Sequence, residues 1–549
     1  MGLTLILSAL MACGAPADKA PSEDTPAVTD PGDTTPDSTG PEAPPDFAVI
    51  SDTDRLIRAS VDLRGVRPTP GELEAVRADP DALEGLVDEY LHDERFGAQV
   101  RTLFNYVYLT RVETWAVAAY YFGVGDQIGE FTEATGQEPL RVLSTIAEED
   151  LHYSQIVTAD WTMANELIAE GWPVDYPEGE SGWRQVHYTD GRPMAGVLSS
   201  NAMWWRYTST LSNANRGRAN AASRILLCND YLGREIEFNR DVDLLDEAAV
   251  AEAITTDPGC AACHASLEPL SAYFWGFTHL LDGSTYEMSV YHAEREGWWS
   301  LYTDIGPGYY GQPGYDLIDL GRQMAQDPRL YSCAVENVYE GLLQRDSDLE
   351  DFTPMDAHLG AFEDGGYTLR ALIRSVVLSD EYRADAPKLM LPDQLVSQVQ
   401  DITGYKLTYF GFDLFQSDLF GLQTLAGGAD GVTVLEPART PNATMLLAQE
   451  RLAEASSWFA VERDAAGSPE LLTDIDFTET PDGDGAERMV AQLQALHLRV
   501  LGHDVDADGP EVAANLDLWR ALYDVEQDPL AAWAGVLSVL LRDPDFILY

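Results

Sequence analysis

The chain has 549 residues, of which 92 are Asp or Glu and 34 are Lys or Arg, so its net charge is −58. A surface this acidic repels polyanions, which excludes nucleic acid as a partner and argues against binding to anionic lipid. The excess of acidic side chains also resembles the surfaces of proteins from salty environments, where screening weakens the repulsion between like charges.

The first 13 residues predict an export signal that ends in a lipidated cysteine. Residues 3–11 form an apolar run that is too short to span a bilayer. This run leads into Leu10-Met11-Ala12-Cys13-Gly14, which resembles a bacterial lipobox, so Cys13 is the candidate lipidation site. An ordinary cleaved secretory signal is the alternative. We therefore expect a protein of the bacterial cell envelope, anchored by lipid to the outer membrane and facing the periplasm or the surface.

Residues 14–46 predict a disordered linker. Prolines alternate with Asp, Glu, Thr and Ser in this segment, and residues 15–46 contain no aromatic residue. Such a composition cannot bury a core. At about 3.1 Å per residue, the segment would reach on the order of 100 Å as an extended tether.

Residues 47–549 predict a mainly α, multi-domain helical scaffold. Apolar residues follow a helical period and are interrupted at Gly and Pro clusters, with no regular series of alternating strands. We divide this part into an N-terminal helical region (47–235), a central region with a following helical domain (236–385) and a C-terminal helical domain (386–549).

One helical unit occurs three times in this scaffold. Each copy has an amphipathic helix that leads into an acidic turn and an aromatic residue, at residues 86–96, 369–382 and 536–546. Each is preceded by another helix with a basic, turn-like exit, at residues 63–68, 342–345 and 498–502. Repetition of this kind usually serves packing, because one unit cannot bury its apolar face alone.

The sequence Cys260-Ala261-Ala262-Cys263-His264 lies between the first and second copies and is typical of covalent haem attachment. The thiols of Cys260 and Cys263 would form thioethers with one porphyrin, and His264 would coordinate its iron. A disulfide or redox dithiol is an alternative. Zinc is a weaker one, since no second Cys/His pair with ligand spacing lies nearby.

Cys228 and Cys333 remain after the lipid and haem sites are assigned. In an oxidising compartment we expect a disulfide between them, and two buried free thiols are the alternative. The bond would close a loop of about 100 residues around the haem motif, which the chain-entropy model values at roughly 4 to 5 kcal/mol.

The second axial ligand of the haem decides between electron transfer and ligand binding. Met324 follows His264 by 60 residues, a spacing similar to that of small class I cytochromes c. Met288, His279 and His292 are the other candidates, and an open or water-filled position is the alternative. The aromatic segment from Tyr273 to Phe277 could wall the porphyrin or equally fill a core.

Several segments resemble the large planctomycete-cytochrome-associated families of unknown function. They are residues 55–97, 155–166, 196–199, 215–218, 226–228, 331–383 and the Cys-x-x-Cys-His motif with Pro269, Leu270 and Phe277. They follow the family's order and cover about half of the chain, although Glu268 stands where the family usually has aspartate. The resemblance implies an exported, haem-bearing protein of an environmental bacterium, with no agreed activity.

The expected function is that of a lipid-anchored monohaem c-type cytochrome-like protein that transfers electrons to a redox partner protein in the envelope. A classical enzyme is not expected, and any catalysis would be that of a haem-dependent oxidoreductase. The alternative is a structural surface lipoprotein that binds a partner or carbohydrate, with the cysteine motif as a disulfide staple. Its candidate sugar-stacking residues are Trp204 and Trp205. Glu148 to Asp150 with His152 form an acidic cluster beside a histidine, which is a candidate for hydrolytic chemistry, and a solvated helix face is the alternative.

Overall fold

A computed structural model describes residues 47–112, 117, 122–125, 127–233, 242–243, 245–280, 287, 289–409, 412–415 and 421–549. The predicted signal with Cys13, the predicted linker and Met288 lie outside the described residues. Residues 47–549 form one compact unit. The boundaries predicted within this unit stay predictions.

The described part of the chain is mainly helical, which confirms the predicted fold class. The helices before and including the cysteine motif are α1 (Asp52–Arg64), α2 (Pro70–Ala78), α3 (Ala82–Tyr90), α4 (Phe96–Tyr108), α5 (Ile128–Glu148), α6 (Gln155–Thr158), α7 (Glu166–Gly171), α8 (Asn201–Arg206), α9 (Arg216–Leu227), α10 (Glu247–Thr256) and α11 (Pro258–Ser271). Those that follow are α12 (Trp299–Tyr302), α13 (Leu317–Met324), α14 (Pro328–Leu343), α15 (Phe352–Asp364) and α16 (Leu369–Val377). The remainder are α17 (Pro392–Thr403), α18 (Leu422–Leu425), α19 (Ala443–Ala465), α20 (Ala486–Leu501), α21 (Pro510–Glu526), α22 (Pro529–Leu541) and α23 (Pro544–Ile547).

Short 3-10 helices and hairpins connect these helices. The 3-10 helices are Ala272–Phe277, Ala293–Trp298 and Glu381–Arg383. Within the described ranges, the strands form three antiparallel pairs: β1 (Thr162–Ala164) with β2 (Arg184–Val186), β3 (Gly308–Tyr309) with β4 (Gln312–Pro313), and β5 (Thr408–Tyr409) with β6 (Phe412–Asp413).

The three predicted repeats coincide with helices that end in buried aromatic turns. The repeat helices α3, α16 and α22 lead into Phe96, Tyr382 and Phe546, and each of these rings is at most 1% exposed. The preceding helices α1, α14 and α20 end in left-handed residues, Gly65 at φ 71°, Gln344 at φ 51° and Gly502 at φ 78°. A left-handed residue stops a helix and turns the chain.

Arginines of the first copy hold the turns of the other two copies. Arg58 donates to the carbonyl oxygens of Tyr382 at 2.7 Å and Ala384 at 3.0 Å. Arg67 donates to the carbonyl oxygens of Leu501 at 3.0 Å and Asp545 at 2.5 Å. The three units are therefore joined around the first one.

Two large hydrophobic cores fill the described part of residues 47–549. The main core takes residues from Leu56 to Tyr382, including the last turns of α11. The second core takes Val61 of α1 and residues from Leu389 to Ile547. Helix α1 thus contributes to both. None of the described helices combines the length and the apolar character that crossing a membrane requires.

Candidate functional site

Helix α11 carries the cysteine motif in its first two turns. The Asp257 carboxylate caps the helix and accepts hydrogen bonds from the backbone nitrogens of Gly259 at 3.0 Å and Cys260 at 3.2 Å. Pro258 occupies the first helical position, where no backbone donor is needed. Residues three and four apart share one face of a helix, so Cys260, Cys263 and His264 lie side by side.

Both motif cysteines are free thiols and half-buried. Cys263 packs against the main core. Burial and the nearby Asp257 carboxylate raise the pKa of Cys260, which keeps its thiol protonated at neutral pH. Cys260 and Cys263 are therefore a reduced dithiol in this structure.

His264 is held by a buried carboxylate one turn further along α11. Its Nδ1 lies 2.6 Å from Oε1 of Glu268, and the Glu268 side chain is only 1% exposed. The same Oε1 accepts from Nε of Arg216 at 2.5 Å. Burial acts to raise the pKa of Glu268, but the hydrogen bonds from His264 and Arg216 lower it below the ordinary value. Glu268 is therefore a carboxylate that fixes the imidazole ring.

This arrangement fits the ligand chemistry of an iron porphyrin. With Nδ1–H donated to Glu268, Nε2 carries the lone pair, and it has no hydrogen-bond partner among the described residues. The His264 side chain is 25% exposed, so the ring is partly accessible from solvent. Metal-ligating histidines usually donate their other ring N–H to a carboxylate or carbonyl in this way.

A disulfide joins Cys228 to Cys333, which confirms the predicted pairing. It ties the end of α9 to α14 across a separation of 105 residues. Arg216, the residue that binds Glu268, is the first residue of the same helix α9. The disulfide therefore anchors the far end of the helix that presents Arg216.

The candidates for a second axial ligand lie in different surroundings. Met324 is fully buried in the main core at the end of α13. Nε2 of His292 lies 2.8 Å from the carbonyl oxygen of Glu287, and Nδ1 lies 3.2 Å from Oε1 of Glu294, so both ring nitrogens are engaged. The half-buried His279 ring stacks on Trp205 at 6.3 Å, and burial lowers its pKa, which favours the neutral imidazole that metals bind.

The aromatic segment after α11 fills the core. Phe274 packs on Trp204 with ring centroids 4.5 Å apart, and Trp275 stacks on Tyr302 at 4.9 Å. Trp204 is 2% exposed, which leaves it no free face for a sugar. Of the acidic cluster near His152, Asp150 forms an ion pair with Arg370, and Nδ1 of His152 bonds to Ser154.

Sequence reasoning missed the Glu268–Arg216 pair as part of the site. The available signal was the spacing of four residues between His264 and Glu268, which puts both side chains on one helix face. Arg216 gave no comparable signal, because it lies 52 residues before Glu268. Among the described residues, no group of three or more His, Cys, Asp or Glu side chains forms a site that could hold a bare metal ion.

No protein-family model matches this sequence, and no curated protein or solved structure is significantly similar to it. The function is therefore inferred from the residues of the site.

Proposed function

We propose that this chain is an exported, lipid-anchored monohaem c-type protein that transfers single electrons in the bacterial cell envelope. One face of α11 carries the proposal: two free thiols stand beside an imidazole whose Nδ1 is bound by Glu268. The order Cys-x-x-Cys-His, which is typical of covalent haem attachment, supports the same function.

Each residue of the motif has a separate task in this proposal. Cys260 and Cys263 would bind the porphyrin covalently through thioethers. His264 would offer Nε2 to the iron, and Glu268 would hold the imidazole ring through Nδ1. When bound, haem supplies a one-electron iron couple, while the protein supplies binding, orientation and a buried environment.

The occupant of the second axial position separates electron transfer from substrate oxidation. A side chain of this protein in that position favours electron transfer, and an open position allows an external ligand to bind. Carbon monoxide added to the reduced, haem-loaded protein tests this point. We expect no shift of the Soret band, and a shift would favour a haem-dependent oxidoreductase.

Covalent haem is tested by exporting the protein in a host with c-type haem maturation machinery. We expect haem that stays with the polypeptide after denaturation and extraction, together with a visible spectrum typical of a c-type haem. Replacement of Cys260 and Cys263 by Ser removes the covalent bonds, and His264→Ala changes the axial ligation and the spectrum.

A matched control is His187→Ala. His187 also faces a carboxylate, Asp175 at 3.2 Å, but lies on the surface with its side chain 55% exposed. This variant should keep the wild-type spectrum. Wild-type protein without covalent haem, in which Cys260 and Cys263 form a disulfide, would contradict the proposal and favour a structural lipoprotein with a cysteine staple.

The lipid anchor has its own experiment. The proposed Cys13→Ser variant should move from the membrane fraction to the soluble envelope fraction, because it loses the acylation site. If both proteins fractionate identically, Cys13 is not the anchor, and the haem assignment stands independently.

A further inference from the structure

We propose that Glu268, held by Arg216, sets the reduction potential of the haem through its hydrogen bond to His264. The inference rests on the proposed function, since it assigns a tuning role at the same site. Glu268 and Arg216 are positioning residues in it, because neither touches the iron.

The geometry concentrates both contacts on a single carboxylate oxygen. Oε1 of Glu268 lies 2.6 Å from Nδ1 of His264 and 2.5 Å from Nε of Arg216. Oε2 is buried, and it has no hydrogen-bond partner among the described residues. A buried carboxylate with so few partners keeps much of its negative charge available to the imidazole, since the low local dielectric strengthens the interaction.

The carboxylate makes His264 a stronger donor at Nε2. A hydrogen bond from Nδ1–H to an anion raises the basicity of the opposite nitrogen. A more basic ligand stabilises the ferric state more than the ferrous state, because the ferric iron carries the greater positive charge. The iron couple exchanges one electron with a one-electron partner, and no covalent bond is made or broken. Glu268 therefore lowers the potential.

Arg216 acts on the same oxygen in the opposite sense. Its guanidinium draws charge from Oε1 and weakens the effect of Glu268 on His264. Arg216 is the first residue of α9, and the Cys228–Cys333 disulfide holds the other end of that helix. Helix α9 and the disulfide therefore fix the position of Arg216, and this position determines its effect on the potential.

A redox titration of haem-loaded variants tests the inference. Glu268→Gln keeps the shape and an acceptor oxygen but removes the charge, so we expect a higher potential. The control is Asp257→Asn, which removes a charge from the cap of the same helix, and Asn caps helices as well as Asp does. Glu268→Gln should raise the potential clearly more than Asp257→Asn. Equal shifts would overturn the inference, because they would show only a general charge effect.

The double variant separates action through Glu268 from direct charge repulsion. Arg216→Gln alone should lower the potential, and this decrease should largely vanish in the Glu268→Gln background. Full additivity would mean that Arg216 acts on the iron through space, and the inference would be wrong. If Glu268→Gln does not fold, Arg216→Gln alone can still overturn the inference, since an unchanged potential contradicts the role of Glu268.

The two proposals fail in different ways. Absence of covalent haem from the wild-type protein overturns the proposed function and the inference together. Haem-loaded wild-type protein with Glu268 variants of unchanged potential overturns the inference alone.

Discussion

At the scale of single residues, a buried charge network holds the frame together. Asp62 binds Lys388, Tyr382 at 2.5 Å and Tyr549 at 2.8 Å, and both members of the ion pair are 4% exposed. Lysine is rare in this chain, and Lys388 is one of only three. Its partner Asp62 lies 326 residues away in the sequence. The sequence alone shows that Lys388 is a rare residue type, but it does not predict that Lys388 pairs with Asp62.

Replacing Asp62 by Asn should strongly destabilise the protein. Burial lowers the pKa of Lys388 to about 8 although Asp62 acts against this decrease. Removing one partner of a buried pair leaves an uncompensated charge and costs about 3–5 kcal/mol of the free energy of unfolding. Urea denaturation at pH 7 measures the loss. The control is Asp504→Asn, because Asp504 pairs with Arg77 at 3.4 Å with its side chain 74% exposed. We expect it to change stability by less than about 0.5 kcal/mol.

Asp351 should stabilise the protein at neutral pH and lose this effect in acid. Arg345 and Tyr339 donate to its carboxylate, each at 2.6 Å. The hydrogen bonds from Arg345 lower the pKa of Asp351, although desolvation acts to raise it. Because the folded state holds the lower pKa, the stabilisation is present above the unfolded value of about 4 and is lost as the pH falls further.

The measurement is the difference in unfolding free energy between wild type and Asp351→Asn. We expect about 1.5–3 kcal/mol at pH 7, which is the usual value of hydrogen bonds to a charged group. The difference should shrink steadily below pH 4. The exposed Asp356 lies on the adjoining helix α15, and Asp356→Asn should show no such trend. A difference that stays constant with pH would contradict the role of the Asp351 charge.

At the scale of elements, the sequence predicted the helical units and missed what joins them. The amphipathic period and the acidic turns identified α3, α16 and α22, because these signals are local. The contacts of Arg58 and Arg67 with distant carbonyl groups span more than 300 residues, and no local pattern reports them. The same reason explains the site: the motif on α11 was predictable, whereas Arg216 on α9 was not.

The packing of α13 on α6 depends on a glycine. A Cβ at Gly321 would lie 1.9 Å from the carbonyl oxygen of Val157, which cannot move without its helix. Gly321→Ala should therefore cost about 1–3 kcal/mol or more by overpacking. The control is Gly360→Ala in α15, where a Cβ meets nothing within 4 Å. That change should stabilise by about 0.5–1 kcal/mol, since Ala favours helix. Equal effects in thermal unfolding would contradict this account of the contact.

At the scale of the whole molecule, two cores share α1, and one disulfide closes the frame around the motif. The pairing of Cys228 with Cys333 could be predicted by elimination, because the other cysteines had separate assignments. The second core could not, since it combines Val61 with side chains that lie more than 300 residues later in the chain. The net charge of −58 makes the unfolded chain expand at low salt, which is a property of composition alone.

Removing the disulfide should lower global stability. The double variant Cys228→Ala/Cys333→Ala should lose about 2–5 kcal/mol of the free energy of unfolding, because the unfolded chain gains the freedom of a loop of about 100 residues. Urea denaturation without reductant measures the loss. Equal stability of the two proteins would show that the bond does not constrain the unfolded state.

The intact mass of the exported, matured protein tests the central proposal most directly. Protein made with c-type haem maturation machinery should exceed the mass of its polypeptide and lipid by one haem, and the excess should survive denaturation. The Cys260→Ser/Cys263→Ser variant should lack that increment and keep the lipid. A wild-type mass without the haem, lower than the dithiol form by the two hydrogens of a second disulfide, would contradict the proposal.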